Sequence, residues 1–171
     1  MDPKDLNYRM PAEWAPHQRT YIAWPVRESM CYPEQYEQVC RGYQEIIDAI
    51  AEFEPVTVIV NPDEMDRVRR LFSSARVECL PVEHNDAWLR DNGPTFLTND
   101  QGELAAVNWR FNAWGGKYSP WDLDDAVAAA VAKHAGVRRF DAPLVMEGGS
   151  FHTDGEGTLL TTEECLLNPN R

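Results

Sequence analysis

The stretch Asp91–Leu104, DNGPTFLTNDQGEL, has an echo further along the chain in Glu147–Leu159, EGGSFHTDGEGTL. Each copy opens on an acid with a glycine two residues later, continues through an aromatic (Phe96, Phe151), and closes on a glycine and a leucine two apart. The offset is 56 residues at the acids (91 to 147) and 55 at the leucines (104 to 159), so one residue is deleted between the copies. A period of this length suggests stacked supersecondary modules, each opening a hairpin with a carboxylate on a glycine-flanked corner. Chance similarity between two turns rich in Gly and Asp is the competing reading. If the repeat is genuine, equivalent ends of neighbouring modules converge and Asp91 and Glu147 line one cavity.

Outward from the echo, the elements alternate. Tyr36, Val39, Tyr43, Ile46, Ile47, Ile50 and Phe53 recur at spacings of three and four, which predicts an amphipathic helix over 34–53. Pro55 stops it, and VTVIV (56–60) reads as a buried strand. Asn61 as N-cap and Pro62 at the first helical position predict a short helix through Leu71. A strand over 76–82 follows. TFLT and ELAAVNWR are expected to pair around Asn99-Asp100-Gln101-Gly102. A helix over 122–135 has acids in its first turn and Gly136 just past its end. Short strands are expected over 137–140 and 144–146, then a hairpin turning at Asp154-Gly155-Glu156-Gly157. The class is α/β, one domain over 1–171, with no linker.

Composition narrows the partners. Sixteen basic against 28 acidic residues give net charge −12 and a pI near 4.7. Such a surface repels phosphate backbones and anionic membranes, so no nucleic-acid or membrane partner is expected, and a small cation is compatible. The start MDPKDLNYRMPAEW has no apolar signal region and no window is long enough to span a bilayer, which reads as a cytoplasmic protein. Cys31, Cys40, Cys79 and Cys165 are scattered without a C-x-x-C pair, so no metal site or dithiol motif is expected.

The first echo copy lies inside Asn85–Pro94, NDAWLRDNGP. The Gly-Pro corner and the charges predict a loop. One reading is a solvated turn with an Arg90 ion pair to Asp91 or Asp86. The other is a grip on a flat cation: Asp91 for charge-assisted hydrogen bonds, Trp88 for face stacking, Glu147 as the second carboxylate. Paired carboxylates on rigid corners also serve acid–base chemistry or metal binding. An indole suits a delocalised guanidinium and hinders a hydrated metal ion.

WLRDNGP, NWRFNAWGGKY (108–118), MEGGSFHTDGEGTLLTTEECLLNPNR (146–171) and the opening MPAEWAPHQRTYIAWP (10–25) together resemble the agmatine deiminases. These form the bacterial peptidylarginine-deiminase-like branch of the guanidino-group-modifying (pentein) superfamily. The resemblance spans nearly the whole chain. It implies a five-bladed α/β propeller of ββαβ-type modules around a substrate tunnel, with no cofactor and no metal. It implies hydrolysis of agmatine to N-carbamoylputrescine and ammonia through a cysteine thiouronium. Matched position by position, Asp91 is the carboxylate that binds the guanidinium nitrogens, Trp88 the aromatic beside it, and Glu147 an acidic substrate-site residue.

The departure from the family is its length. The family's nucleophilic cysteine, its G-H-x-D base and a second substrate Asp lie beyond Arg171, so the resemblance implies an incomplete N-terminal portion, inactive alone. Cys165 falls at a helix start in a segment that matches a non-catalytic part of the family. His152-Thr153-Asp154 carries the wrong context for G-H-x-D, and His152 reads as structural or as a neighbour of the site. His17, His84 and His134 read as surface or satisfied core residues. A partial propeller exposes module faces, so self-association or a missing C-terminal segment is expected. The alternatives are peptidylarginine as substrate, a non-catalytic module that binds a cationic guanidino ligand, and a metal-dependent hydrolase built on His152, Asp154 and Glu147.

Overall fold

Val56–Val60 (VTVIV) is a strand whose five residues are all buried, as a β-branched run must be when both faces of its sheet are covered. The computed structural model describes residues 2–29 and 32–171; Cys31 lies outside them. The chain divides into two compact units, Pro16–Leu89 and Met1–Ala15 with Arg90–Arg171.

In the first unit β1 (Thr20–Ala23), α1 (Tyr36–Ala51), β2 (Val56–Val60), α2 (Met65–Arg69) and β3 (Val77–Pro81) alternate. The sheet is parallel in the order β1-β2-β3, with Val56 opposite both Thr20 and Val77. Tyr36, Cys40 and Ile47 of α1, Val68 of α2 and Trp24 pack on β2. The buried stripe of α1 is thus rotated from the expected face. Cys40 and Ala51 are inside, whereas Ile46 is 55% exposed and Phe53, beyond the helix end, is 84% exposed. Asn61 precedes Pro62 as expected, yet its side chain does not cap. It donates to the His84 carbonyl (3.1 Å) and accepts from the His84 N–H (2.9 Å), and the helix ends at Arg69 rather than Leu71. His84 is a buried core residue, its ring nitrogens 3.0 Å from the Val82 carbonyl and 2.9 Å from that of Trp24.

α3 (Leu89–Asn92) starts on the last residue of the first unit, and the second unit contains β4 (Thr95–Thr98), β5 (Leu104–Arg110), the turn α4 (Ala113–Gly116), α5 (Asp122–Ala135), β6 (Arg138–Val145), β7 (Phe151–Thr153), β8 (Leu159–Thr161) and α6 (Glu163–Leu166). β4 and β5 form the expected antiparallel hairpin, with Thr98 opposite Leu104. α5 has the expected bounds and ends on Gly136 in the left-handed conformation (φ 66°). β6 returns parallel to β5, giving this sheet ββαβ connectivity. It is one strand rather than two short ones. Pro143 is tolerated because β6 is an edge strand and the register shifts opposite Asn108–Arg110.

The echo is structural. β7 pairs antiparallel with β8, Phe151 opposite Thr161. The Asn99 side-chain oxygen accepts from the N–H groups of Gln101 (3.1 Å) and Glu103 (2.9 Å). Asp154 does the same for Glu156 (2.8 Å) and Thr158 (3.0 Å). Gly102 and Gly157 take positive φ at equivalent places, 76° and 114°. The N-terminal segment bridges onto the first hairpin, Arg9 to Thr98, and Tyr8 and Met10 pack on Leu97 and Val107.

Candidate functional site

NDAWLRDNGP is not wholly a loop, because Leu89–Asn92 winds one helical turn before Gly93-Pro94 stops it. A single turn leaves its N–H groups unpaired within the helix, so it tolerates the adjacent proline that a longer helix could not. Nor is it a turn held by an internal ion pair. Arg90 pairs with Glu13, and Asp86 is buried, accepting from Ser29 Oγ (2.7 Å), Tyr32 OH (3.3 Å) and the Ala87 N–H (2.7 Å). Burial beside the Asp86 charge pushes the Tyr32 phenol well above its ordinary range.

Asp91, half-buried, sits in that turn. Its Oδ1 accepts the Gly149 N–H at 3.0 Å, so the acid of one echo copy is held by the glycine of the other. Burial pushes the Asp91 carboxyl above its ordinary value, against the opposing pull of Gly149, Trp114 and the Arg90 charge. The close approach explains both glycines of the EGG motif. A β-carbon on Gly148 would collide with the Arg90 carbonyl oxygen, and one on Gly149 with Asp91 Oδ1.

Glu147 is 2% exposed. Its carbonyl accepts from Ser150 N–H (2.9 Å) and Ser150 Oγ (2.6 Å), which closes the turn that presents Gly149. Its carboxylate faces Arg171 at 2.8 Å between Oε1 and Nε. The N–H is not aimed at the oxygen, so the pair is held by charge rather than by a directed hydrogen bond. Asp91 and Glu147 therefore meet through the 147–150 turn, with Glu147 answered by a guanidinium of its own chain. Trp88 lies in the Pro16–Leu89 unit and is half-buried.

Three residues escaped the sequence reading. Trp114 lies in α4, where Ala113 and Trp114 at φ 53° and Gly115 and Gly116 at 83° and 80° wind left-handed. Non-glycine residues there cost about 1–2 kcal/mol each. The Gly-Gly pair after Trp114 was the available signal. Arg171 had none. Asn92 is 4% exposed, and neither atom of its side-chain amide has a hydrogen-bond partner among the described residues.

His152 is exposed, 3.9 Å from Glu13. Cys165 follows the Thr162 cap of α6, as its helix-start context predicted. Among the described residues no three His, Cys, Asp or Glu side chains gather as a metal ion would require, and no helix is long and apolar enough to cross a membrane.

The model of the Porphyromonas-type peptidyl-arginine deiminase family matches residues 9–171. A relative from Legionella pneumophila is 46% identical over 169 residues, covering 99% of this chain and 49% of that protein. The agmatine deiminase of Pseudomonas syringae pv. tomato is 44% identical over 178 residues, covering 99% of this chain and 47% of that protein. The structure of the Enterococcus faecalis agmatine deiminase superposes with a TM-score of 0.92 at 39% identity, over 99% of this chain and 47% of that one. The chain thus spans about half the length of the curated relatives it matches. By these matches, the chain belongs to the Porphyromonas-type peptidyl-arginine deiminase family, among relatives that include agmatine deiminases.

Proposed function

We propose that the chain carries the guanidinium-binding half of a guanidine deiminase that converts agmatine to N-carbamoylputrescine and ammonia. The observation that carries this reading is the Asp91 carboxylate, half-buried and held by the Gly149 N–H, in a chain so similar to agmatine deiminases. A guanidinium stays protonated far above neutral pH, so a site for it must bind a cation, and a desolvated carboxylate does so by paired charge-assisted hydrogen bonds. Trp88 and Glu147 are the proposed aromatic and second acid of the site, in one propeller domain of five ββαβ modules of which 1–171 forms part. In the reaction a cysteine thiolate adds to the guanidinium carbon and ammonia leaves, giving a thiouronium. Water then adds to the same carbon and expels the thiolate, with a histidine moving the protons. Neither the cysteine nor the histidine is assigned to a residue of this chain.

Binding is the property to test in this chain. Calorimetric titration with agmatine should show binding that Asp91→Asn removes, without ammonia release by the chain alone. Equal heats from the two proteins would sink the reading. The family description favours peptidylarginine as a second substrate class. Stronger binding of an arginine peptide than of agmatine would favour it, and binding without turnover in every context would favour a non-catalytic guanidino-binding module.

A further inference from the structure

Asp91 follows an arginine in the chain, and the two side chains leave the α3 turn toward the same place. A β-carbon on Gly149 would lie 3.5 Å from Asp91 Cγ and 3.7 Å from Arg90 Cγ. Beyond Cγ the arginine stem is long enough for its guanidinium to turn back onto the Asp91 carboxylate or away from it. A guanidinium is the planar fork that fits a carboxylate best, and this one is tethered a residue away. In the structure it turns away and pairs with Glu13. Glu13 is itself held in place. Arg9 and Thr98 exchange both backbone hydrogen bonds, each at 2.9 Å, and anchor the segment before it. The Ala15 N–H donates to the Ala12 carbonyl at 3.0 Å and closes the turn that carries it. Gly155 presses on that turn so closely that a β-carbon there would come within 2.8 Å of the Ala12 nitrogen. His152 Nδ1 lies 3.9 Å from the Glu13 oxygen that pairs with Arg90.

We infer that Glu13 is a positioning residue: it holds the Arg90 guanidinium away from Asp91 and so keeps that carboxylate open to an incoming guanidinium. Arg90 carries the same chemical group as the proposed ligand, so on Asp91 it would occupy the acceptor positions that the ligand needs and repel the ligand's charge. The Arg90–Glu13 pair is exposed, which makes the restraint modest in free energy. It matters nonetheless, because a tethered competitor acts at high effective concentration. Whatever fraction of the molecules has Arg90 on Asp91 is lost from the binding-competent population.

The inference rests on the reading of Asp91 as the guanidinium ligand, and the test separates the two. Wild type is compared with Glu13→Gln, Arg90→Gln, the double variant and Asp91→Asn, all in the whole chain. The Asp91 side chain is titrated by carboxyl NMR, and agmatine binding is measured by calorimetry. A released Arg90 charge favours the ionised Asp91, so Glu13→Gln is expected to lower the Asp91 titration midpoint by about half a pH unit and to weaken agmatine about threefold. Arg90→Gln alone should raise the midpoint and bind agmatine at least as well as wild type, and the double variant should match it. A merely structural ion pair would instead make the two single variants equally weak. An unmoved Asp91 midpoint in Glu13→Gln, or equal losses of affinity in the two single variants, overturns the inference. Equal binding by wild type and Asp91→Asn overturns the guanidinium reading instead, and the midpoints in Glu13→Gln and Arg90→Gln still decide what Glu13 does.

Discussion

Arg171 Nε and Glu147 Oε1 are 2.8 Å apart, with side-chain exposures of only 10% and 2%. Each charge answers the other where water does not reach, so removing one strands its partner. Arg171→Met is expected to destabilise the chain by about 3 kcal/mol, because an unpaired buried carboxylate remains. Adding Glu147→Gln should recover part of that loss. Urea unfolding of the single and double variants measures both effects, and strictly additive losses would show that the two side chains are not coupled.

Asp91 gives a pH signature. Its carboxyl is raised by burial, so the folded state holds the proton more tightly than the unfolded chain does. Its contribution to stability is complete below the ordinary carboxyl value of about 3.9 and is lost as pH rises through the higher folded value. Asp91→Asn keeps an oxygen for Gly149 and carries no charge. It should therefore gain on wild type in unfolding free energy between acid and neutral pH. Parallel stability curves for the two proteins would contradict the raised carboxyl. Agmatine affinity should fall as pH drops through the same raised value, earlier than for a solvent-exposed aspartate.

Gly148 and Gly149 are crowded by different kinds of atom. The obstacle at Gly148 is backbone, the Arg90 carbonyl, whereas at Gly149 it is the Asp91 side chain. Gly148→Ala should destabilise by about 2–3 kcal/mol and Gly149→Ala by less, because a side chain can swing aside where a backbone cannot. Gly149→Ala should nonetheless impair agmatine binding by displacing Asp91. The reverse order of stabilities would mean that the backbone around Arg90 yields more readily than the carboxylate.

β8 exposes successive leucines, Leu159 at 56% and Leu160 at 69%, and Leu167 follows at 75%. A short strand that is apolar on both faces invites pairing with other chains. The chain is expected to self-associate at concentrations on the order of micromolar to millimolar, where exposed apolar surface and unpaired strand edges associate, and Leu159→Ser with Leu160→Ser should lower the association. Sedimentation velocity decides it: a monomer at all concentrations before mutation removes the expectation.

The elements legible in the sequence are those set by their own residues. VTVIV could be little but a covered strand, and the acids and Gly136 bounding α5 marked both of its ends. The echo was legible because turn chemistry is local, and Asn99 and Asp154 bind their own loops in the same way. What was hidden depends on distant partners. The Asn61 amide has the form of a cap and is claimed by His84, Ile46 fits the period of α1 but stays more than half exposed, and Glu147 faces Arg171 across the β7–β8 hairpin. Only the final packing decides between such partners.

The bridge from Arg9 to Thr98 imposes an order on synthesis. The Pro16–Leu89 unit is contiguous in the chain, so every strand of its sheet is translated before β4. The segment around Arg9, translated before that sheet, does not have Thr98 to join until β4 emerges. Residues translated ahead of the first sheet are thus placed after it, and a translational pause that held synthesis until β4 had cleared the ribosome would let them dock.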